Sequence, residues 1–269
     1  MKYSVLFSCT SHIGKRRSSN QDNFICNGKY MDPKGEPITF PISGTISDAP
    51  ALFGVFDGMG GEECGEVASL IASRCASEAS VSEKPLEALL DYCGDANGKI
   101  CAYAEENDIT AMGTTAALLA FTKNEIALCN IGDSKIFRLA DNELKQISVD
   151  HYAVAVFGQK PPLSQNLGIP PSEMIIEPYL ARGRYNDGDV YLLCSDGLTD
   201  MVPVEDITRI ILKGEFDEII ENLLNAALEN GGKDNITIIL CKVQRRKRNI
   251  FSRLFRADTR EEGEWKDEH

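Results

Sequence analysis

No Cys-x-x-Cys pair occurs in the chain, and only three histidines are present. A structural zinc site needs closely spaced Cys and His ligands, so these shortages exclude one. Nine cysteines remain, an odd number, and most stand inside apolar runs such as 190–194. Buried free thiols in a reducing compartment explain them better than a disulfide framework. No apolar stretch approaches the length of a membrane span. The opening MKYSVLFSCTSHIGKRR carries its positive charges after a short apolar run. A secretory signal has the reverse order, so a cytoplasmic location is expected. Basic charge is also scarce: 28 Lys and Arg face 41 Asp and Glu, a formal net charge of -13. A phosphate backbone would repel such a surface, which argues against a nucleic-acid partner.

The 269 residues are 43% hydrophobic, enough for one large domain with a substantial core. Short runs rich in Val, Ile, Phe and Leu recur at 3–9, 23–26, 51–56, 114–122, 125–131, 135–139, 190–194 and 236–241. Gly, Asp and Asn bound them, so they read as strands. Apolar spacings of three and four predict helices over 62–80, 85–107 and 215–230, the last stopping at Gly231–Gly232. Residues 30–50, rich in Pro, Gly and Ser, read as a loop or irregular hairpin. Strands, a helix pair, more strands, a helix and a last strand do not alternate as βαβ units. The order predicts an α+β fold, an αββα layered sandwich of two antiparallel sheets flanked by helices. The domain is expected to span 1–243. Residues 244–269, beginning QRRKRNIFSRLFR and ending acidic, read as a charged, disordered tail.

Four aspartates share one local setting. Asp57 ends ALFGVF, Asp133 follows IALCNIG, Asp196 follows VYLLCS, and Asp234 precedes NITIIL. If those strand ends meet at one edge, their carboxylates repel and need cations. Hard divalent ions with oxygen ligands serve this need. Gly58 and Gly197 would let backbone approach closely, so the Gly58 carbonyl is a further candidate ligand. A lone Asp-Gly is more often a turn, and calcium-binding β modules also use Asp-rich loops. Arg17, in GKRRSSNQD, suits a phosphate by its forked guanidinium, though local sequence alone favours a solvated surface arginine beside Lys15 and Arg16.

The ordered set RSSNQD (17–22), FGVFDGMGG (53–61), MGTT (112–115), IGDS (131–134), VDH (149–151), LSQNLG (163–168), LCSDGLTD (193–200) and GGKDNIT (231–237) resembles the metal-dependent type-2C (PPM) protein serine/threonine phosphatases, in their bacterial form. The resemblance implies two core Mn2+ or Mg2+ ions and a third, weaker one. Asp57, the Gly58 carbonyl, Asp196 and Asp234 would ligate the core pair, and Asp133 and Asp200 the third. Asp22 would hold metal-bound water, Arg17 the substrate phosphate, and Asn235 would orient the site. Thr114 and Thr115 would support the ligands. The implied reaction is direct attack of a metal-bridging hydroxide on phosphoserine or phosphothreonine. The implied substrates are phosphoproteins in signalling, a serine/threonine kinase among them, and the implied state is a monomer. The competing reading is an inactive phosphatase-like scaffold or sensor domain; a degenerate member would lack a core aspartate, and here all three stand. Three departures accompany the resemblance. Met59 replaces a histidine proton donor found in many eukaryotic members. Gln21 replaces a glutamate found in some. The segment 151–164 is shorter than the flap often found there.

Overall fold

Runs without polar alternation, such as AALLAF at 116–121, suit strands covered on both faces. The computed structural model describes residues 3–47, 50–59, 64–123, 125–154 and 161–246. In it, Ala117, Leu119 and Phe121 face one hydrophobic layer, while Ala116, Leu118 and Ala120 face another. The same period of two divides the last strand, with Ile239, Cys241 and Val243 on one face and Ile236, Ile238 and Leu240 on the other.

The chain runs β1 (Tyr3–His12), β2 (Asp22–Cys26), β3 (Ile42–Ile46), β4 (Ala51–Met59), α1 (Gly65–Glu78), α2 (Pro85–Glu106), β5 (Gly113–Thr114), β6 (Ala116–Phe121), β7 (Ile126–Ile131) and β8 (Lys135–Ala140). It continues β9 (Glu143–Gln146), β10 (Tyr179–Gly183), β11 (Val190–Cys194), α3 (Asp196–Thr199), α4 (Val204–Lys213), α5 (Phe216–Glu229) and β12 (Ile236–Arg245). One sheet has the order β3-β1-β12-β11-β8-β9, the other β10-β7-β6-β4-β2 with β5 on β4. The named strand pairs are antiparallel. Phe7, Phe53, Phe121 and Tyr191 fill the space between the sheets. The helices α1 and α2 cover the outer face of the second sheet through Ala68, Ala72, Leu89 and Ala96. On the first sheet, α4 and α5 do the same with Ile207, Ile211, Ile220 and Leu223. This is the αββα sandwich. Truncating one fully buried ring, such as Phe53 or Phe121, would cost about 3–5 kcal/mol.

Several elements depart from the sequence reading. Residues 30–50 contain a true edge strand, β3, paired to β1 from Val5↔Ile46 to Cys9↔Ile42. The run 114–122 is broken at Thr115 into β5 and β6. Helix α4 and strands β9 and β10 are additional. The helix expected from residue 62 begins at Gly65, and residues 60–63 lie outside the described part. Strand β12 runs two residues past 243, pairing Gln244 with Ser4 and Arg245 with Tyr3. The rest of the tail, from 247, lies outside the described residues. Among the described residues, no helix is long and apolar enough to cross a membrane.

Candidate metal centre

Register places the first two carboxylates. Strand β2 pairs with β4 so that Asp22 stands opposite Asp57, and β5 pairs so that Thr114 stands opposite Gly58. The first sheet supplies two more: β11 and β12 are neighbours, Asp196 opens α3 just after β11, and Asp234 stands just before β12. Asp133 follows β7 and is buried. Asp200 caps α3 at its exposed end, its backbone N–H donating to the Asp196 carbonyl at 2.8 Å.

Electrostatics shows that these groups converge. Burial pushes the Asp57 carboxyl well above its ordinary range, and the charges of Asp22, Asp196, Asp133 and Asp234 push it further. Asp22, only 2% exposed, is raised to about 7. Burial is the main cause there, hydrogen bonds from Thr237 and Ser195 offset part of it, and Asp196 and Asp234 add to it. Thus five aspartates from both sheets share one field at one edge. Arg17 answers it: its Nη2 donates to Asp234 Oδ2 at 2.6 Å, and the charges of Asp234, Asp57 and Asp196 raise its pKa further.

Two glycines permit the convergence. A Cβ on Gly58 would collide with the carbonyl oxygens of Gly65 and Gln21, so α1 and the β2 entry can close on β4 only over a glycine. A Cβ on Gly197 would collide with the Asn235 carbonyl, which would separate α3 from β12. Close backbone approach, rather than a turn with positive φ, is what both Asp-Gly pairs provide.

Neutral polar groups fix the frame. Thr114 Oγ1 and the Thr115 backbone N–H each donate to the Asp57 carbonyl at 2.9 Å, and the Asp57 N–H donates to Thr115 Oγ1 at 3.0 Å. The buried Asn235 side chain donates to the carbonyls of Ile13 and Ser19, both at 2.9 Å, and accepts from the Gln21 N–H at 2.8 Å. It therefore clamps both ends of the loop carrying Arg17 against Asp234. A buried polar chain went unseen in the sequence. Ser195 Oγ donates to Asp22 Oδ2 at 2.8 Å and accepts from the Thr237 N–H at 3.0 Å; Thr237 Oγ1 and Ser11 Oγ stand 2.9 Å apart. Its one sequence signal was Ser195, a polar residue directly after the apolar run of β11. Near Asp133, Tyr152 donates its hydroxyl to Oδ2 at 3.2 Å, and Lys135 pairs with Asp150.

The donor set suits a hard cation. The candidate donors, Asp57, Asp196, Asp234, Asp133 and the Gly58 carbonyl, are all oxygen, a set that would fit a hard divalent cation rather than a thiophilic metal. Among the described residues, no three Asp, Glu, His or Cys side chains already close on a common centre. The carboxylates are coupled by their field rather than packed into a finished cage. Nearby Cys194 offers no thiolate, since burial pushes its thiol up to about 12.

Comparison with known proteins follows the same line. A family model described as protein phosphatase 2C matches residues 43–241. The chain is 30% identical over 247 residues to the serine/threonine phosphatase stp of Listeria welshimeri, covering 84% of this chain and 91% of that protein. The crystal structure of the serine/threonine phosphatase PstP/Ppp of Mycobacterium tuberculosis superposes with a TM-score of 0.73 at 28% identity, over 89% of this chain and 99% of the other. The catalytic domain of PstP in complex with two manganese ions gives a TM-score of 0.71 at 30% identity, over 90% and 99%.

Proposed function

The chain belongs to the protein phosphatase 2C family, and from that premise we propose that it hydrolyses phosphoserine and phosphothreonine esters of proteins with manganese or magnesium held at the edge formed by Asp57, Asp196 and Asp234. The observation that carries this reading is the shared field of Asp22, Asp57, Asp133, Asp196 and Asp234, with Arg17 at its rim.

Asp57, Asp196, Asp234 and the Gly58 carbonyl would hold the two core ions. Asp133 and Asp200 would serve a third, weaker position. Cations bound there supply the Lewis acidity that makes water a nucleophile near neutral pH. Asp22 stands opposite Asp57, its carboxylate held by the Ser195 hydroxyl, and would hold water bound to the cations. Arg17 orients the phosphoryl group by turning its fork from Asp234 to the phosphoryl oxygens. No cysteine takes part: Cys194 is buried and its thiol is protonated at neutral pH. Met59, at the end of β4, carries no proton, so the leaving oxygen must draw its proton from water.

Activity belongs to the cytoplasm on this reading, with kinase-modified proteins as substrates. The test is turnover of a phosphoserine peptide and an aryl phosphate with manganese, magnesium, calcium or chelator, side by side. Turnover with manganese or magnesium and none with chelator supports the reading. No turnover under any condition would leave a phosphatase-like scaffold.

A further inference from the structure

Beside Met59 a cleft of about 780 Å³ opens between the C-terminal end of α2, strand β5 and the segment 166–173. Met59 and its strand partner Gly113 form its inner end, one residue from Gly58. The cleft therefore adjoins the strand end that carries Asp57 and Gly58, and its volume is ordinary for a binding pocket.

Its walls are built in place. The buried Asn97 on α2 donates to the Ile169 carbonyl at 3.0 Å and accepts from the Gly168 and Ile169 N–H groups at 2.6 and 3.1 Å. This ties the outer wall to the helix, and Pro170 and Pro171 restrict it further.

Its charge has one sign. Glu105 and Glu173 line the cleft, and among the described residues no Lys, Arg or His does. The last turn of α2 has no basic residue to offset its carbonyl end. A helix C-terminus carries roughly half a negative charge. Three sources of negative potential thus meet in a cleft that also offers apolar surface from Ile109, Met112 and Met59. The complementary ligand has a long apolar stem and a cationic head.

We propose that this cleft is a subsite for an arginine or lysine flanking the phosphorylated residue of a protein substrate. The proposal rests on the phosphatase reading and adds a substrate class to it. An extended peptide advances about 3.3 Å per residue, so a side chain a few positions from the phosphoserine reaches from the centre into the cleft.

The experiment uses the full chain with manganese. One arginine is walked through the positions on either side of the phosphoserine in a neutral peptide, with matched alanine and glutamate series and an aryl phosphate. At one position arginine should raise kcat/KM about tenfold over alanine, the effect of one charge-assisted contact. Glutamate there should lower it, and added salt should shrink the difference. Glu105→Lys with Glu173→Lys, both at exposed positions, should erase the preference and leave aryl-phosphate turnover unchanged. Equal rates for all peptides, with aryl-phosphate turnover intact, would overturn the subsite alone. A preference that survives the double reversal would also overturn it. A faster arginine-peptide rate after truncation at Arg246 would assign the cleft to the chain's own basic tail. Wild-type protein inert toward the aryl phosphate as well would overturn the phosphatase reading itself.

Discussion

Arg17 and Asp234, 217 positions apart in sequence, are joined by a 2.6 Å charge-assisted hydrogen bond at the rim of the carboxylate cluster. Both side chains keep contact with solvent, at 51% and 35% exposure, so the pair is worth at most about 1 kcal/mol. It is therefore cheaply broken. A cation on Asp234 would compete with Arg17 for the same oxygen, and a phosphoryl group would compete with Asp234 for the same fork. The proposed roles of the two residues thus predict opposite consequences when one is removed.

Arg17→Ala should weaken substrate and strengthen metal. Loss of one charge-assisted contact should lower kcat/KM by on the order of 1.5–3 kcal/mol, mostly through KM. Loss of a competing positive charge should lower the manganese concentration needed for half activation. Steady-state kinetics with metal titration reads both. No change in either parameter would return Arg17 to the role of a solvated surface residue.

Activity should require manganese or magnesium and vanish with chelator. Calcium should support little turnover, because its larger and looser coordination positions water poorly. Full activity in chelator-treated protein would remove the carboxylate cluster from the chemistry.

The cluster should also shape metal-free stability. Asp57 and Asp22 have folded-state pKa values above those of an unfolded chain, about 3.9. Groups raised in this way contribute stability that is present below that pH and lost as pH rises through the folded values, about 7 for Asp22. In chelator, the wild type should therefore melt lower at pH 8 than at pH 5. Asp57→Asn should lose nearly all kcat yet melt higher than wild type at pH 8, with a smaller gain at pH 5. Thermal melts at the two pH values check this. A lower melting temperature for the variant at pH 8 would show that Asp57 is not in a repulsive field.

Met59 predicts a substrate-dependent effect. An aryl phosphate leaves as a stable anion, whereas phosphoserine leaves as a poor alkoxide that needs a proton. Met59→His should change phosphopeptide turnover more than aryl-phosphate turnover. Equal changes would mean that position 59 does not face the leaving oxygen.

The carboxylate cluster was legible where aspartates and strand ends coincide. Asp57, Asp133, Asp196 and Asp234 each adjoin an apolar run that the sequence marks as a strand, and the two Asp-Gly pairs carry the close approaches of Gly58 and Gly197. The polar chain Ser11–Thr237–Ser195–Asp22 was not legible. Its members lie up to 226 positions apart, and serine and threonine carry no periodicity of their own. Helix α4 was missed because VEDITRIILK crowds β-branched residues into ten positions, weak in helix propensity. Its amphipathic face is what packs it on the first sheet. Strand β3 was hidden by the Pro- and Gly-rich chain before it, since edge strands tolerate both.

Asn235 offers the sharpest test of how the loop and the metal edge are coupled. Its side chain is 4% exposed and makes three hydrogen bonds to backbone at residues 13, 19 and 21. Those residues bracket Arg17, and the last precedes Asp22. Asn235→Ala leaves two carbonyls and one N–H without their partner. Each lost bond to an uncharged group is worth about 1 kcal/mol, so stability should fall by about 2–4 kcal/mol in thermal or urea melts. If the side chain acts on phosphate only by holding the loop, its effect on KM must pass through Arg17. Residues acting in one unit are not additive. Asn235→Ala should then raise KM in the wild-type background and add little once Arg17→Ala is present. Asn235→Asp keeps the shape and the acceptor but lacks the donor, and it adds a charge beside Asp234. It should recover little of the KM and should shift the manganese concentration needed for half activation, because the added carboxylate changes metal affinity as well. Full additivity of Asn235→Ala and Arg17→Ala in KM would separate the two residues and show that Asn235 serves Asp22 or Asp234 directly rather than the phosphate-binding loop.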